Sequence, residues 1–420
     1  MNTQSPLRTA IAGIGGFGNA HHGIFLKLEQ RGEVRVTATC DPALPNLAGV
    51  CEAHQFAERG VSVFDSFEKM AAHGEFDLGV IAAPIQFHAP MHAAFVRLGA
   101  ACYLEKPPTL DPQELELMIL TEQDARIETN VGFSFIHLQD RLALKQRMIA
   151  GEFGILRQMS FLGLAPRSPA YFGRNRWAGR MLIGDTVLLD SCAGNALSHY
   201  LNAMLLFAGK SGLQEWARPI EIQAELYRAN PIEGPDTVFA SCLLEGGIEF
   251  RMALSHACSN AEQITEETLI FEKATITIRS SNQLEIQRAD GEHASFSMAG
   301  PSLADSVDNY LGYVRGNSIR PAQRLADCRG FVELNALLYL AAGRIHTVPD
   351  AYVLEVPTES STQASTRAIS DIEEASRRLV TDGLLPSDTS LAWARPGGKC
   401  GVSDLPNLRT VIQTIRDSRQ

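Results

Sequence analysis

The eight cysteines of this sequence stand apart, at 40, 51, 102, 192, 242, 258, 328 and 400, with no CxxC pair among them. A zinc ribbon or a dithiol redox motif needs such pairs, so no metal is expected. Long apolar runs are missing as well; none approaches the ~20 residues that a membrane helix requires. The N-terminus lacks the charged-then-apolar layout of a signal peptide, and a reduced cytoplasm is the expected compartment. Positive charge is in deficit: 37 Lys and Arg against 48 Asp and Glu give a net charge of −11. Nucleic acid and anionic membranes call for a basic face, and neither is expected as a partner. Internal repeats are also absent.

What is present suits a folded protein. Apolar residues make up 45% of the 420 positions and charged residues 20%, enough for two domains with their own cores. The chain opens with an apolar run, Leu7 to Ala12, followed by Gly13-Ile-Gly15-Gly16-Phe17-Gly18. A helical stretch over 19–31 follows, then a strand from Val34 to Thr39, then Asp41-Pro42. Strand, glycine turn, helix, strand and acid form the dinucleotide-binding pattern. Glycines 13, 15 and 18 permit the tight turn, the approach of a pyrophosphate and close helix–strand packing, and the helix N-terminus offers N–H groups to phosphate. Asp41 suits a ribose and repels a 2′-phosphate, so NAD is favoured over NADP. His21 and His22 have no metal spacing and are expected on the first helix, exposed or capping.

Strands and helices then alternate: an apolar strand from Asp77 to Ala83 closed by Pro84, a helix over 86–99, and a strand from Ala100 to Leu104. Such alternation predicts a parallel sheet covered on both faces. The last strand runs into Tyr103-Leu104-Glu105-Lys106-Pro107. Ligands of open α/β sheets sit outside the carboxyl ends of the strands, and Pro107 restricts the backbone of Lys106. Lys106 is therefore either a group that binds and relays the proton of a substrate hydroxyl or an ordinary surface lysine. His88 is either a helix-start residue or a group beside a nicotinamide. A helix over 115–123, a strand over 129–135 and a helix over 139–150 complete this part, with a boundary near 130.

Beyond 153 the strands lengthen and alternate: 221–227, 238–245, 248–255, 268–278 and 283–288, with Gly246-Gly247 and Asp290-Gly291 as hairpin turns. This predicts an antiparallel or mixed sheet with one face open to a partner subunit, a helix at 303–315 and a core helix over 324–344. From 351 a Ser/Thr-rich linker at 358–366 leads to one amphipathic helix stopped by Gly383. Trp393 and its apolar neighbours argue for a docked tail.

Gly13-x-Gly15-x-x-Gly18, Asp41-Pro42, Pro84…His88, Glu105-Lys106-Pro107 and Gly151-Glu-Phe-Gly154 together resemble the glucose–fructose oxidoreductase / inositol dehydrogenase / MocA family over about residues 7 to 345. The resemblance implies an α/β protein: a doubly wound Rossmann domain (1–130), a substrate-binding and oligomerisation α/β domain with an open-faced sheet (131–350), and here an extension with one helix (351–420). It implies a homodimer or homotetramer through that sheet. It implies NAD bound by Gly13, Gly15, Gly16, Phe17, Gly18, Asp41, Ala83, Pro84, His88, Glu105 and Lys106, with a cis peptide at Lys106–Pro107. It also implies oxidation of a hydroxyl on a sugar, sugar acid or polyol.

The resemblance breaks in the second motif. Relatives carry Asp, then Gly two residues on, then a catalytic His four residues on. In this chain Asp190 matches the acid, Cys192 replaces the Gly and Gly194 replaces the His. Asn195 orients a hydroxyl but takes no proton. His199, one helical turn further, either completes the site or is a core histidine. Arg174, Arg176 and Trp177 either line a sugar pocket or form a surface loop. Two alternatives to the dehydrogenase stay open: a redox-neutral, NAD-dependent glycoside-cleaving enzyme, and a non-catalytic NAD-binding sensor.

Overall fold

In the computed structural model, residues 5–260, 262–357 and 365–418 are described. They divide into two compact units. The first comprises residues up to 109 with 113–134 and 302–326; the second comprises 110–112, 135–301 and the chain from 327 onward.

The first unit is built on six parallel strands: β1 (Leu7–Ala12), β2 (Val34–Cys40), β3 (Ser62–Phe64), β4 (Leu78–Ile81), β5 (Ala101–Leu104) and β6 (Asn130–Val131). Their order is β3-β2-β1-β4-β5-β6, so the order in which successive strands are added reverses between β1 and β4. Between them run α1 (Phe17–Gln30), α2 (Ala48–Ala53), α3 (Phe67–His73), α4 (His88–Arg97) and α5 (Pro112–Thr121). β4 and β5 are buried at every position, as expected of strands with helices on both faces.

The second unit centres on a mixed sheet. Its strands are β7 (Leu156–Leu164), β10 (Pro219–Arg228), β11 (Thr237–Leu244), β12 (Ile248–Ser255), β13 (Ile264–Phe271), β14 (Ala274–Arg279), β15 (Gln283–Arg288), β16 (His293–Ser297) and β17 (Ile345–Thr347), with a small hairpin β8 (Leu182–Ile183) and β9 (Thr186–Val187) outside it. β7 pairs parallel with β12, β10 pairs parallel with β17, and the other neighbours are antiparallel. The sheet differs from the sequence reading: central strand β7 and the outer strands β16 and β17 have no counterpart in it, and the segment 268–278 is not one strand. The chain reverses at Glu272-Lys273, a two-residue turn without glycine, to give the antiparallel pair β13 and β14.

Helices α6 (Gln139–Ile149), α7 (Pro169–Gly173) and α8 (Ser198–Ala208) belong to the second unit, whereas α9 (Leu303–Val314) belongs to the first. The sequence reading placed the 303–315 helix in the second domain. The Tyr310 hydroxyl accepts the Cys102 N–H (2.9 Å), and the Tyr103 and Ser306 hydroxyls are paired at 2.8 Å. So α9 locks β5, the strand that leads into Lys106.

The long helix α10 (Arg329–Ala342) is almost wholly buried and packs on β10. Side chains of a strand alternate between faces. Gly163 faces Leu197 and the helix side, whereas Leu162 and Leu164 face the tail. The tail contributes the hairpin β18 (Val353–Pro357) and β19 (Ser365–Ile369), then α11 (Ile372–Asp382), β20 (Gly398–Gly401) and α12 (Leu408–Asp417). It thus holds two helices where one was expected; the linker residues 358–364 lie outside the described residues. Ile372, Leu379, Leu385 and Trp393 cluster with Leu162, Leu164, Tyr227, Phe239 and Ala253. The apolar part of the face expected to meet a partner subunit is therefore filled by this chain's own tail. Further along the same face Thr268 stands beside Thr277, and the strip is polar.

Candidate functional site

The glycine turn follows β1 and is shaped by close backbone contacts. Gly13 has φ +114°, and a Cβ there would lie 2.4 Å from the Ala82 carbonyl oxygen. On Gly18 a Cβ would lie 2.5 Å from the Gly13 carbonyl oxygen. Only glycine fits at either position. Gly16, at φ 55°, starts α1 with no side-chain cap, and no acid occupies the first turn. Unfilled N–H groups and the positive end of the helix dipole suit phosphate. At the carboxyl end of β2, Asp41 Oδ2 accepts the N–H groups of Ile14 (3.0 Å) and Gly15 (3.1 Å), and Oδ1 accepts that of Ala43 (2.9 Å). Each carboxylate oxygen carries two lone pairs, so Asp41 fixes the turn and keeps acceptor capacity for a ribose. These residues fit a dinucleotide.

Glu105, at the end of β5, is buried. Its Oε1 is 2.8 Å from His21 Nε2, and its Oε2 accepts the Lys106 N–H at 3.2 Å. Lys106–Pro107 is a cis peptide. The sequence reading expected His21 and His22 to be exposed or capping; both are fully buried. The signal was legible: Gly18, His21, His22, Phe25 and Leu28 repeat at the three- and four-residue spacing of one helix face, and that face is the buried one. His22 Nε2 lies 3.1 Å from the Thr39 hydroxyl, and burial pushes its pKa down to about 3.

His88 is also buried. Nδ1 faces the Pro107 carbonyl oxygen at 2.9 Å and Nε2 faces that of Ala83 at 2.8 Å. Neutral imidazole has one N–H, so one carbonyl accepts from the ring and the other only faces it; both nitrogens point at backbone at the ends of β4 and β5. Burial lowers its pKa, with the carbonyls of Ala83 and Pro107 opposing. Ala83 and Pro84 enter this arrangement through their backbone, Pro84 being extended.

In the second unit Asp190 organises its surroundings. Oδ2 accepts the Gly179 N–H at 2.6 Å and Oδ1 accepts the Asn195 side-chain amide at 2.9 Å. Residues Cys192–Ala196 form a π-helical turn, and α8 begins only at Ser198. The face-sharing argument for Asn195 and His199 presumed one continuous α-helix, which the chain does not form here. The His199 ring stacks on Phe135, centroids 5.3 Å apart. At Gly194, a Cβ would lie 2.7 Å from the Leu189 carbonyl oxygen and 2.8 Å from Leu110. No histidine side chain fits where relatives place one. Cys192 is buried, which raises its thiol pKa.

Arg174 stacks on Tyr171, 3.7 Å from the ring centroid, and lies 5.0 Å from Trp177. Arg167 lies 5.1 Å from the Tyr171 centroid. Arg174 and Arg176 are exposed and Trp177 half-buried. Tyr171 was missed by the sequence reading; no periodic signal marks it, since α7 ends at Gly173 before Arg174 and Trp177. Among the described residues no cluster of metal-ligating side chains is found, and no helix is long and apolar enough to cross a membrane.

A doubly wound sheet with a glycine turn at its reversal point defines a dinucleotide-binding α/β protein. Residues 7–133 match the family described as "Oxidoreductase family, NAD-binding Rossmann fold". That stretch supports the resemblance to the Gfo/Idh/MocA family and carries the NAD-binding Rossmann fold. It is 24% identical over 210 residues to inositol 2-dehydrogenase of Rhizobium meliloti (strain 1021), covering 44% of this chain and 63% of that protein. It is 25% identical over 154 residues to D-glucoside 3-dehydrogenase of Escherichia coli (strain K12), covering 36% of this chain and 42% of that one. The matches thus span less than two thirds of either relative. Among solved structures, the WlbA dehydrogenase from Bordetella pertussis in complex with NADH and UDP-GlcNAcA superposes with a TM-score of 0.64 at 19% identity. It covers 80% of this chain and 96% of its own, a likeness of fold.

Proposed function

We propose that the protein is an NAD-dependent dehydrogenase that oxidises a hydroxyl of a sugar, sugar acid or polyol, or runs the reverse reaction. The observation that carries this reading is the strand end at 104–107. A buried Glu105, held by His21, binds the backbone N–H of Lys106 at the carboxyl edge of a sheet whose glycine turn fits a dinucleotide. A lysine anchored through its backbone at that edge supports a ligand-facing role. The named activities of the relatives, on inositol and on a glucoside, and the nucleotide sugar bound by the structural neighbour support a carbohydrate substrate.

NAD, when bound, supplies the hydride acceptor. Lys106 binds the reacting oxygen and relays its proton to solvent. Asp190 fixes Asn195 and the 179 segment, and Asn195 orients a substrate hydroxyl. His199, stacked on Phe135, supplies the remaining donor or acceptor. Tyr171 and Trp177 offer ring faces to a sugar, and Arg174 and Arg176 suit a carboxylate or phosphate on it. Asp41 favours NAD over NADP by repulsion of a 2′-phosphate.

The test is a panel of sugars, sugar acids and inositols followed by NADH absorbance, with NAD and NADP side by side. Lys106→Met is expected to cut turnover by roughly 10³-fold or more, at the upper end for a lost proton-transfer group, while NAD affinity stays within about twofold. Near-normal turnover of the variant rejects the role of Lys106. Tightly held NAD with sugar release and no net NADH identifies the redox-neutral alternative. Saturable sugar binding with no absorbance change at any pH identifies a sensor.

A further inference from the structure

The C-terminal helix α12 buries Leu408, Ile412 and Ile415 on one face and packs against α10. Its arginines reach the other way. Arg409 pairs with Asp111, whose side chain is only 4% exposed, and also donates to the Asp185 carbonyl. Arg416 Nε lies 2.8 Å from Glu233 Oε1, on a side chain that is 6% exposed. The other Glu233 oxygen accepts the Met181 N–H at 3.3 Å and lies 3.7 Å from Arg180.

These contacts fall on segments that carry the proposed substrate chemistry. Asp111 is the fifth residue after Lys106. Asp185 forms the turn between β8 and β9, five residues before Asp190. Met181 lies between Trp177 and Asp190. From Glu233 the network continues without a break: the Gly234 N–H donates to the Gly179 carbonyl (2.7 Å), the Gly179 N–H to Asp190 (2.6 Å), and Asn195 to Asp190 (2.9 Å). Nearly buried carboxylates are costly unless paired, and α12 supplies a cation to each of these two, alongside Arg180 at Glu233. The helix is therefore part of the electrostatic closure of this region.

We propose that α12 is a built-in brace of the substrate side, and that Arg409 and Arg416 are positioning residues. Arg416 acts through Glu233 on the 176–190 segment and so on Asp190; Arg409 acts on the Asp185 turn and on Asp111. The link to turnover rests on the dehydrogenase reading; the link to loop order does not.

The experiment uses the full chain and the variants Arg416→Gln, Arg409→Gln and, as a control in the same tail, Arg377→Gln, which loses only the exposed pair with Glu373. Amide hydrogen exchange is read on peptides covering 176–190 and 7–40. Arg416→Gln and Arg409→Gln are each expected to speed exchange in 176–190 by about tenfold or more, with 7–40 and the control unchanged, since local opening follows lost local contacts. With a substrate from the panel, kcat is expected to fall about tenfold while KM for NAD is unmoved. Arg416→Lys keeps a cation beside Glu233 but not the guanidinium geometry, and is expected to give a smaller rise, about threefold, at the same peptide.

Unchanged exchange at 176–190 in the Gln variants overturns the brace, as does an equal rise in Arg377→Gln, which would mark general loosening of the tail. If Arg416→Gln does not fold, Arg416→Lys decides alone: no rise overturns the proposal. A wild-type protein that reduces NAD with no member of the panel counts against the dehydrogenase reading and leaves the exchange result standing.

Discussion

The two units solve their binding problems with different materials. In the first unit the groups that fit the cofactor are mostly backbone: the turn at 13–18, the uncapped start of α1, and the ends of β2, β4 and β5. In the second unit the groups proposed to meet substrate are side chains gathered from 171–177 and 190–199, and the last helix, far along the chain, grips the Asp185 turn and Glu233 beside them. A backbone device demands glycine at fixed spacing and leaves a visible mark. A side-chain device can be rebuilt with other residues once its support changes. Gly194 is a case in point: it stands where the resemblance leads one to expect a histidine, and the Leu189 carbonyl and Leu110 leave no room for one.

The sharpest way to break this comparison is to add one methyl group on each side. Gly13→Ala puts a Cβ 2.4 Å from a carbonyl oxygen at a φ of +114°. Overpacking and backbone strain together are expected to cost roughly 3–5 kcal/mol. NAD affinity should fall by about 100-fold or more, equivalent to about 2.7 kcal/mol. Thermal unfolding and NAD titration of the variant check both numbers. A Gly13→Ala protein that still binds NAD normally would show that the turn is not the cofactor's cradle.

Gly194→Ala is the matching change in the second unit and should cost less. The contacts are 2.7 Å to the Leu189 carbonyl and 2.8 Å to the end of the Leu110 side chain, which can give way. A loss of roughly 1–3 kcal/mol is expected, with NAD affinity unchanged and turnover reduced through the displaced Asn195. Gly194→His is expected to lower turnover further rather than restore a family-like site. Recovery of activity in that variant would mean that the π-helical turn at 192–196 is more pliant than its contacts indicate.

What could be read from the sequence follows the same division. β1, the turn, α1, β2 and the Glu105-Lys106-Pro107 strand end were legible because hydrophobic runs, glycines and prolines each act locally. His21 was misjudged because charge-capable residues were assumed to face solvent, although its helical spacing placed it on the buried face. Strand β7 was missed because it starts half-exposed, as Leu156-Arg157-Gln158, and turns fully buried only from Met159. The β13–β14 turn at Glu272-Lys273 carries none of the usual turn residues. The grip of Arg409 and Arg416 was not legible at all, since nothing local pairs residue 409 with 111 or 416 with 233.

A last test asks whether the units, so different in binding chemistry, share one liability in acid. His22 in the first unit and His256 in the second are both buried, and burial is the main force that pushes each pKa down to about 3 from an ordinary 6.5. His256 also faces Arg167 and Arg174, which push the same way. Above pH 6.5 each histidine is neutral in the folded and unfolded chain alike, and the full stability is present. Below 6.5 the unfolded chain takes up a proton that the folded chain refuses, so stability falls with pH until about pH 3. Each group contributes a slope approaching ~1.4 kcal/mol per pH unit. Urea unfolding between pH 7 and pH 4 should show the decline, and His22→Gln and His256→Gln should each remove one share of it. If only one substitution flattens the curve, the other histidine already carries its proton in the folded protein. Its unit would then hold a buried cation that the present contacts, the Thr39 hydroxyl for His22 or the Ala165 carbonyl for His256, would have to stabilise.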